Sequence, residues 1–250
     1  ARSWEKSDRG AAEAALFTFK DLKYIRETDT FIEFTDNGWV MGDDYSARRR
    51  VHQVNEARIL YARDTIEDVK VLEKQVNYLT GLNNMNRSQA IINAWKERRE
   101  IRSTVANWDD DPFLLGCKNG VVDLTDGSLR PFRHADKVSL RARVNYDPSA
   151  RCPIFLQTLD EIFQGNQEMI SFLQRWSGYT IAGDTTEQKF MCQIGRGRNG
   201  KSLLNDTIAW ILGDYAASTS FDTFTTGRFS NDSFKNSQLA QMVGRRMVTA

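Results

Sequence analysis

Cysteine is scarce in this chain and histidine scarcer. Cys117, Cys152 and Cys192 lie far apart among 250 residues, and the two histidines are His52 and His134. No Cys-x-x-Cys pair exists, so neither a disulfide framework nor a zinc site of ordinary spacing organises the fold, and a reducing compartment is expected. Long apolar runs are missing too. None approaches the ~20 residues that a membrane span needs, and no signal-type segment opens the chain, so no membrane partner is expected. Charge of one sign is also lacking: 34 Lys and Arg stand against 33 Asp and Glu, for a formal net charge of +1. Any contact with a polyanion must therefore rest on local clusters rather than on a global field. What remains, 40% hydrophobic and 27% charged residues, is the balance of a folded globular chain. The start at Ala1 rather than methionine is what a piece of a longer polypeptide would show.

The order of signals along the chain predicts a mixed α/β fold. Residues 1–15 are polar and Ala-rich and read as a loose lead-in. Phe31-Ile32-Glu33-Phe34, Asp36-Asn37-Gly38 and Trp39-Val40-Met41 read as a hairpin, because Asn and Gly tolerate the positive φ of tight turns. Residues 46–101 hold no proline and read as helical, with Ile59, Leu60, Ile66, Val69 and Leu72 near helical spacing. Asp111-Pro112 ends that region. A second hairpin is expected from Gly120–Leu124 and Ser128–Phe132 around Thr125-Asp126-Gly127. Asp147-Pro148 and Cys152-Pro153 mark a linker, and helices follow at about 154–163 and 167–179. The chain thus divides into an accessory domain over 1–150 and a second α/β domain over 151–250.

Phe190-Met191-Cys192-Gln193-Ile194 predicts a short buried strand, with Cys192 as an inert buried thiol. Gly195-Arg196-Gly197-Arg198-Asn199-Gly200-Lys201-Ser202 follows, then a helical stretch with Leu204, Ile208 and Ile211 on one face. The octet is the Walker A pattern of Gly, four residues, then Gly-Lys-Ser. Gly195 and Gly200 let the backbone bend where a side chain would collide with phosphate. The loop N–H groups, with those of Gly197 and Asn199, then form a nest for oxyanions. The next helix aims its positive end at the same charge. Lys201 reaches the β- and γ-phosphates, and Ser202 places its hydroxyl on Mg²⁺. ATP and Mg²⁺ are the expected ligands, with Lys201 and Ser202 as the catalytic pair. Arg196 and Arg198 are either further phosphate or subunit contacts or solvated surface charge.

Several further stretches, in order, resemble the superfamily 3 helicases of the poxvirus-type and satellite-phage primase-helicase family. They are Asp111-Pro112-Phe113-Leu114-Leu115, Asn119–Leu124, Asn145-Tyr146-Asp147-Pro148, Phe172-Leu173-Gln174-Arg175, Gly178-Tyr179, Gly183-Asp184, Asn199–Ser202 and Leu212-Gly213-Asp214-Tyr215. The resemblance implies a mixed α+β accessory domain followed by the first part of a P-loop, AAA+-like helicase domain. It implies a replicative enzyme of a phage or DNA virus, at work in the host cytoplasm. It also implies a hexameric ring that couples ATP hydrolysis to translocation on single-stranded or forked DNA, often with a primase domain upstream. Gly244–Ala250 resembles the strand that leads to the acidic Walker B pair. That acid, the polar sensor and the arginine finger lie beyond Ala250, so full hydrolysis is not expected of this stretch alone. A nucleotide-gated assembly or DNA-loading module without unwinding, and a P-loop kinase, are the alternative readings.

Other residues carry competing readings. Arg48-Arg49-Arg50, Arg58 and Arg63 are either a DNA-backbone contact or a solvated helix face, the commoner case. His52 and Tyr61 do not by themselves make a stacking platform. Asp109-Asp110-Asp111 reads as a solvated turn rather than a metal cluster. Trp39, Trp95, Trp108, Trp176 and Trp210 read as core, and Arg245-Arg246 as a surface turn.

Overall fold

The computed structural model describes residues 7–18, 21–225, 238–239 and 241–250. They form a mixed α/β architecture with several small sheets, divided into two compact units, Ala1–Trp108 and Asp109–Ala250.

In the first unit, α1 (Asp8–Thr18) precedes β1 (Leu22–Ile25), β2 (Thr30–Thr35) and β3 (Gly38–Gly42). The expected loose lead-in is therefore helical from Asp8, and residues 1–6 lie outside the described residues. The reason is tertiary: Ala11, Ala12 and Ala14 are buried, and the Trp95 indole N–H donates to the Ala12 carbonyl at 3.0 Å. The β2–β3 hairpin forms as the sequence predicts, with Phe34 opposite Trp39 and Thr35 opposite Gly38. Short β4 (Arg102–Ser103) pairs parallel to β1, which completes a sheet in the order β3-β2-β1-β4. Alternation sends successive side chains to opposite faces. Leu22, Tyr24 and Phe31 join the helical core, while Ile25, Ile32, Trp39 and Trp108 pack on the other face.

The helical region predicted at 46–101 is divided by its caps. α2 (Asp44–Thr65) starts at Asp43, whose carboxylate accepts the Ser46 N–H while Ser46 Oγ accepts the Asp43 N–H, a capping box. α3 (Val69–Gly81) starts at Asp68, which accepts from Lys70 and Val71. α4 (Met85–Lys96) starts at Asn84. Each cap satisfies N–H groups that a single continuous helix would bond internally. Ile91, Ile92 and Trp95 of α4 are fully buried with Leu79 and Leu82, and each such side chain stabilises the unit by roughly 1.5–3 kcal/mol.

The second unit opens on β5 (Leu114–Cys117), β6 (Gly120–Asp123) and β7 (Ser128–Arg130), an antiparallel sheet. Its β6–β7 hairpin is the second one the sequence predicts, with Gly127 at φ 73° in the turn. Then come α5 (Pro153–Phe163), α6 (Gln167–Ala182), α7 (Lys201–Leu212), β8 (Ala216–Ser218) and β9 (Met247–Thr249). β8 and β9 pair in parallel. The compact units part after Trp108, earlier than the 150/151 division read from the linker signals. The cause is one core: Leu115, Cys117, Val122 and Ala142 pack with Leu212 and Tyr215, which ties residues 109–150 to the segment around α7. Burial there also pushes the Cys117 thiol up to about 11, so this cysteine is unreactive.

Asp109 explains the acidic triplet. Its carboxylate accepts the N–H groups of Ser139 and Leu140 at 2.8 and 3.0 Å and also the Ser139 hydroxyl. It is a clamp within the unit rather than a solvated residue, and no metal-binding cluster occurs among the described residues. Arg246 is likewise no surface residue. Its guanidinium donates to the carbonyls of Ile181 at 2.7 Å and Leu114 at 2.6 Å and lies 4.5 Å from the Tyr215 ring centre. Trp39, Trp95 and Trp108 are core, as expected, whereas Trp210 is exposed.

Candidate nucleotide site

The Gly195–Ser202 octet leads directly into α7, with Gly200 at the N-cap position. Gly200 has φ 84°, and a Cβ there would come within 2.5 Å of Ile162 Cδ1 on α5. Glycine is thus required twice, for the left-handed backbone and for the approach of α5. Gly200→Ala is expected to destabilise this unit by about 1–2 kcal/mol from backbone strain alone, read as a lower midpoint in thermal denaturation; an unchanged midpoint would contradict the assignment. Gly195 is also constrained, since a Cβ there would sit 2.3 Å from Asn199 Nδ2. At Gly197 a Cβ would meet nothing within 4 Å, so its space is open. Arg198 takes a positive φ of 62°, a conformation that costs a non-glycine residue energy. Arg196 and Arg198 are both exposed.

No side chain caps α7, so the N–H groups of its first turn keep their capacity for an acceptor. Lys201 Nζ donates to Asn199 Oδ1 at 2.8 Å and to the Gly195 carbonyl at 3.4 Å. The lysine therefore lies back across the loop, and Gly195 leaves room for the Asn199 amide that it meets there. Ser202 is exposed beside it. Behind the loop, Leu204 packs with Leu159 and Leu173, and Met191 joins that cluster. Gln193 and Asn205 exchange amide hydrogen bonds at 3.0 and 3.1 Å, which fixes the loop's approach to α7.

Two expectations fail here. Residues 188–196 form no strand, and Phe190 and Ile194 are 87% and 92% exposed. No strand pairs with them among the described residues, and an unpaired strand cannot satisfy its own backbone groups. Cys192 is consequently exposed rather than buried. One feature escaped sequence reading: a groove of about 540 Å³ beside the start of α7, lined among others by Pro153, Ile154, Phe155, Leu203 and Thr207. Its apolar residues come from α5 and α7, and only their folded juxtaposition reveals it.

The family model described as D5 N terminal like matches residues 14–164. A protein of Acanthamoeba polyphaga mimivirus named "Putative helicase L207/L206" is 25% identical over 238 residues, which is 86% of this chain and 24% of that protein. The chain thus spans about a quarter of the length of that relative. No helix among the described residues is long and apolar enough to cross a membrane.

Proposed function

The chain belongs to the D5 N terminal like family, and from that premise we propose that it is the nucleotide-holding part of a replicative DNA helicase of a virus or phage. The observation that carries the reading is the junction of the octet with α7: a left-handed Gly200, an uncapped helix start and Lys201 folded over the loop. Loop and helix N–H groups would hold the phosphates of ATP. Lys201 would exchange Asn199 for the β- and γ-phosphates, and Ser202 would be the protein's ligand to Mg²⁺. The apolar groove beside Leu203 suits the base. Likeness to a mimivirus protein named as a helicase supports DNA as the partner. In this reading the accessory part serves ring assembly or DNA entry, the subunits form a hexamer of superfamily 3 type, and the work is done in the host cytoplasm.

The test is binding of a fluorescent ATP analogue with Mg²⁺, followed by ATP turnover with and without single-stranded DNA in the 250-residue chain and in a form extended past Ala250. Saturable binding, and turnover stimulated by DNA in the extended form, are expected. Absence of nucleotide binding overturns the site. Turnover indifferent to DNA overturns the motor and returns the P-loop kinase reading.

A further inference from the structure

A cup of about 280 Å³ opens in the first unit where the last turn of α4 meets β1 and β4. Tyr24, Arg26, Asn93, Lys96, Glu97 and Arg102 line it. The sequence brings them together in three steps. Tyr24 of β1 faces the helices, on the side opposite Ile25, and Arg26 follows directly after the strand. Arg102 of β4 is the register partner of Tyr24 in the parallel pairing, so the two side chains share one face of the sheet. Asn93, Lys96 and Glu97 are three and four positions apart, which sets them on one face of α4. Arg26, Asn93, Glu97 and Arg102 are exposed and Lys96 is half-buried, so a ligand reaches these groups directly from solvent.

Three of the six lining side chains are cations, and two of these have carboxylate partners. Lys96 Nζ meets Asp29 at 2.7 Å, and Arg102 Nη2 meets Glu97 at 2.6 Å. The Tyr24 hydroxyl also donates to Asp29, at 2.7 Å. Arg102 Nε donates to the Lys96 carbonyl at 3.0 Å, which fixes the guanidinium against the end of α4. Both carboxylates are open to water, Asp29 at 71% and Glu97 at 78% side-chain exposure. Exposed pairs of this kind are worth little, so a stronger acceptor can take their place. Arg26 makes no ion pair among the described residues. The Asn93 amide accepts from Gln89 at 3.3 Å through its oxygen, and its nitrogen donates to no described group. Like charges that converge repel one another unless an anion lies between them. Asp29 and Glu97 offset two of the three cations, and Arg26 is the surplus.

We propose that this cup binds a phosphate monoester, with Arg26, Arg102 and the Asn93 amide donating to its oxygens and Lys96 supplying charge from within the cup. The donors come from the end of β1, from β4 and from α4, three separate directions. A tetrahedral oxyanion uses all three, whereas a planar carboxylate is satisfied by one guanidinium fork. A monoester carries about −1.5 to −2 charge at neutral pH, enough to offset the surplus arginine and to outbid the exposed carboxylates. The cup lies just below the range of about 300–1,000 Å³ that holds drug-sized ligands, so the occupant is a phosphate with a small substituent. Two sources carry that group, a free mononucleotide and the 5′ end of a nucleic-acid strand. The cup shares no residue with the phosphate loop and does not rest on the nucleotide reading.

The experiment is isothermal titration of the whole 250-residue protein with thymidine monophosphate at about 50 mM salt, where exposed charges are weakly screened. It is made in the unmodified protein and again with Lys201→Ala, which takes the loop lysine out of the measurement. Saturable binding is expected in both, and none with thymidine, which lacks the phosphate. Arg26→Gln, added to Lys201→Ala, is expected to weaken binding about tenfold, the worth of one charge-assisted hydrogen bond. Arg102→Gln should do the same, and Arg26→Lys should lose less. Arg99→Gln, exposed but outside the cup, should change affinity less than twofold. The thermal midpoint of Arg26→Gln should match the unmodified protein, because this guanidinium has no ion pair to lose. Tighter binding of 5′-phosphorylated oligo-dT than of thymidine monophosphate identifies a strand end as the source, and equal binding identifies a mononucleotide; either upholds the cup. Absence of saturable binding overturns the proposal. So does unchanged affinity in Arg26→Gln, or acetate that competes as well as inorganic phosphate. Binding lost with Lys201→Ala but kept with Arg26→Gln alone assigns the ligand to the phosphate loop and overturns the cup, while leaving the nucleotide reading in place.

Discussion

Lys201→Ala is expected to weaken binding of a nucleoside triphosphate by one to two orders of magnitude while leaving the unfolding midpoint unchanged. The size follows from the contact it removes. A charge-assisted hydrogen bond to phosphate is worth about 1.5–3 kcal/mol, and each 1.4 kcal/mol is a factor of ten in affinity. Stability should not change because the Lys201 side chain touches only the loop itself, through Asn199 Oδ1 and the Gly195 carbonyl. The face of α7 that holds the unit together is Leu204, Ile208 and Leu212, and alanine is the best helix former for the first turn. Titration of a fluorescent ATP analogue, with a parallel thermal melt, reads both quantities. A variant that binds the triphosphate as tightly as the unmodified protein would remove Lys201 from the site and with it the central support for a nucleotide function. Loss of binding together with a collapsed melting point would mean instead that the lysine is structural.

Much of the architecture could be read before any coordinate was known, and the parts that could not share a cause. Asn37-Gly38 and Asp126-Gly127 are local signals, and both hairpins form around them. Pro153 at the start of α5 and Gly183 after α6, with φ 67°, are local too, and these helices lie close to their predicted bounds. The divisions of the long helical region at 66–68 and 82–84 were also encoded locally, in Asp68 and Asn84, but a polar residue within a helical run is a weak signal until its cap is seen. Helix α1 and the strand β4 depend on contacts far along the chain, Ala12 with Trp95 and Tyr24 with Arg102, and composition does not announce those. The Gly195–Ser202 octet could be picked out in the sequence because the pattern sets residue types at fixed spacing, and its nucleotide chemistry is the proposal that Lys201→Ala tests. The strand expected before it was not obtained, since a strand exists only through its neighbours and none pairs with Phe190–Ile194 among the described residues. Arg246 shows the converse: next to a second arginine in sequence it looks like solvated charge, yet it is enclosed by Ile181, Leu114 and Tyr215.

Tyr215→Phe is expected to destabilise the second unit by about 2–4 kcal/mol, although it removes a single oxygen. The phenol is fully buried. It accepts the Gly116 N–H at 2.9 Å and donates to the Leu140 carbonyl at 2.9 Å. Phenylalanine would keep the ring, its packing in the core and its contact with Arg246, so no large cavity opens. It would strand the buried Gly116 donor, at about 1–3 kcal/mol, and unpair the half-buried Leu140 carbonyl, at about 1 kcal/mol. The same place forbids a side chain at Gly116, where a Cβ would fall 2.4 Å from the Leu140 oxygen and 2.8 Å from Val138 Cγ1. Burial raises the Tyr215 pKa far above the ordinary phenol range, so the hydroxyl stays protonated and can donate throughout the stable pH range. Urea denaturation followed by circular dichroism should show a lower midpoint for Tyr215→Phe with an unchanged slope, and a larger loss for Gly116→Ala, which must also displace Leu140. Equal midpoints for Tyr215→Phe and the unmodified protein would mean that water, rather than Tyr215, serves these two backbone groups. The link between β5 and the end of α7 would then rest on apolar packing alone.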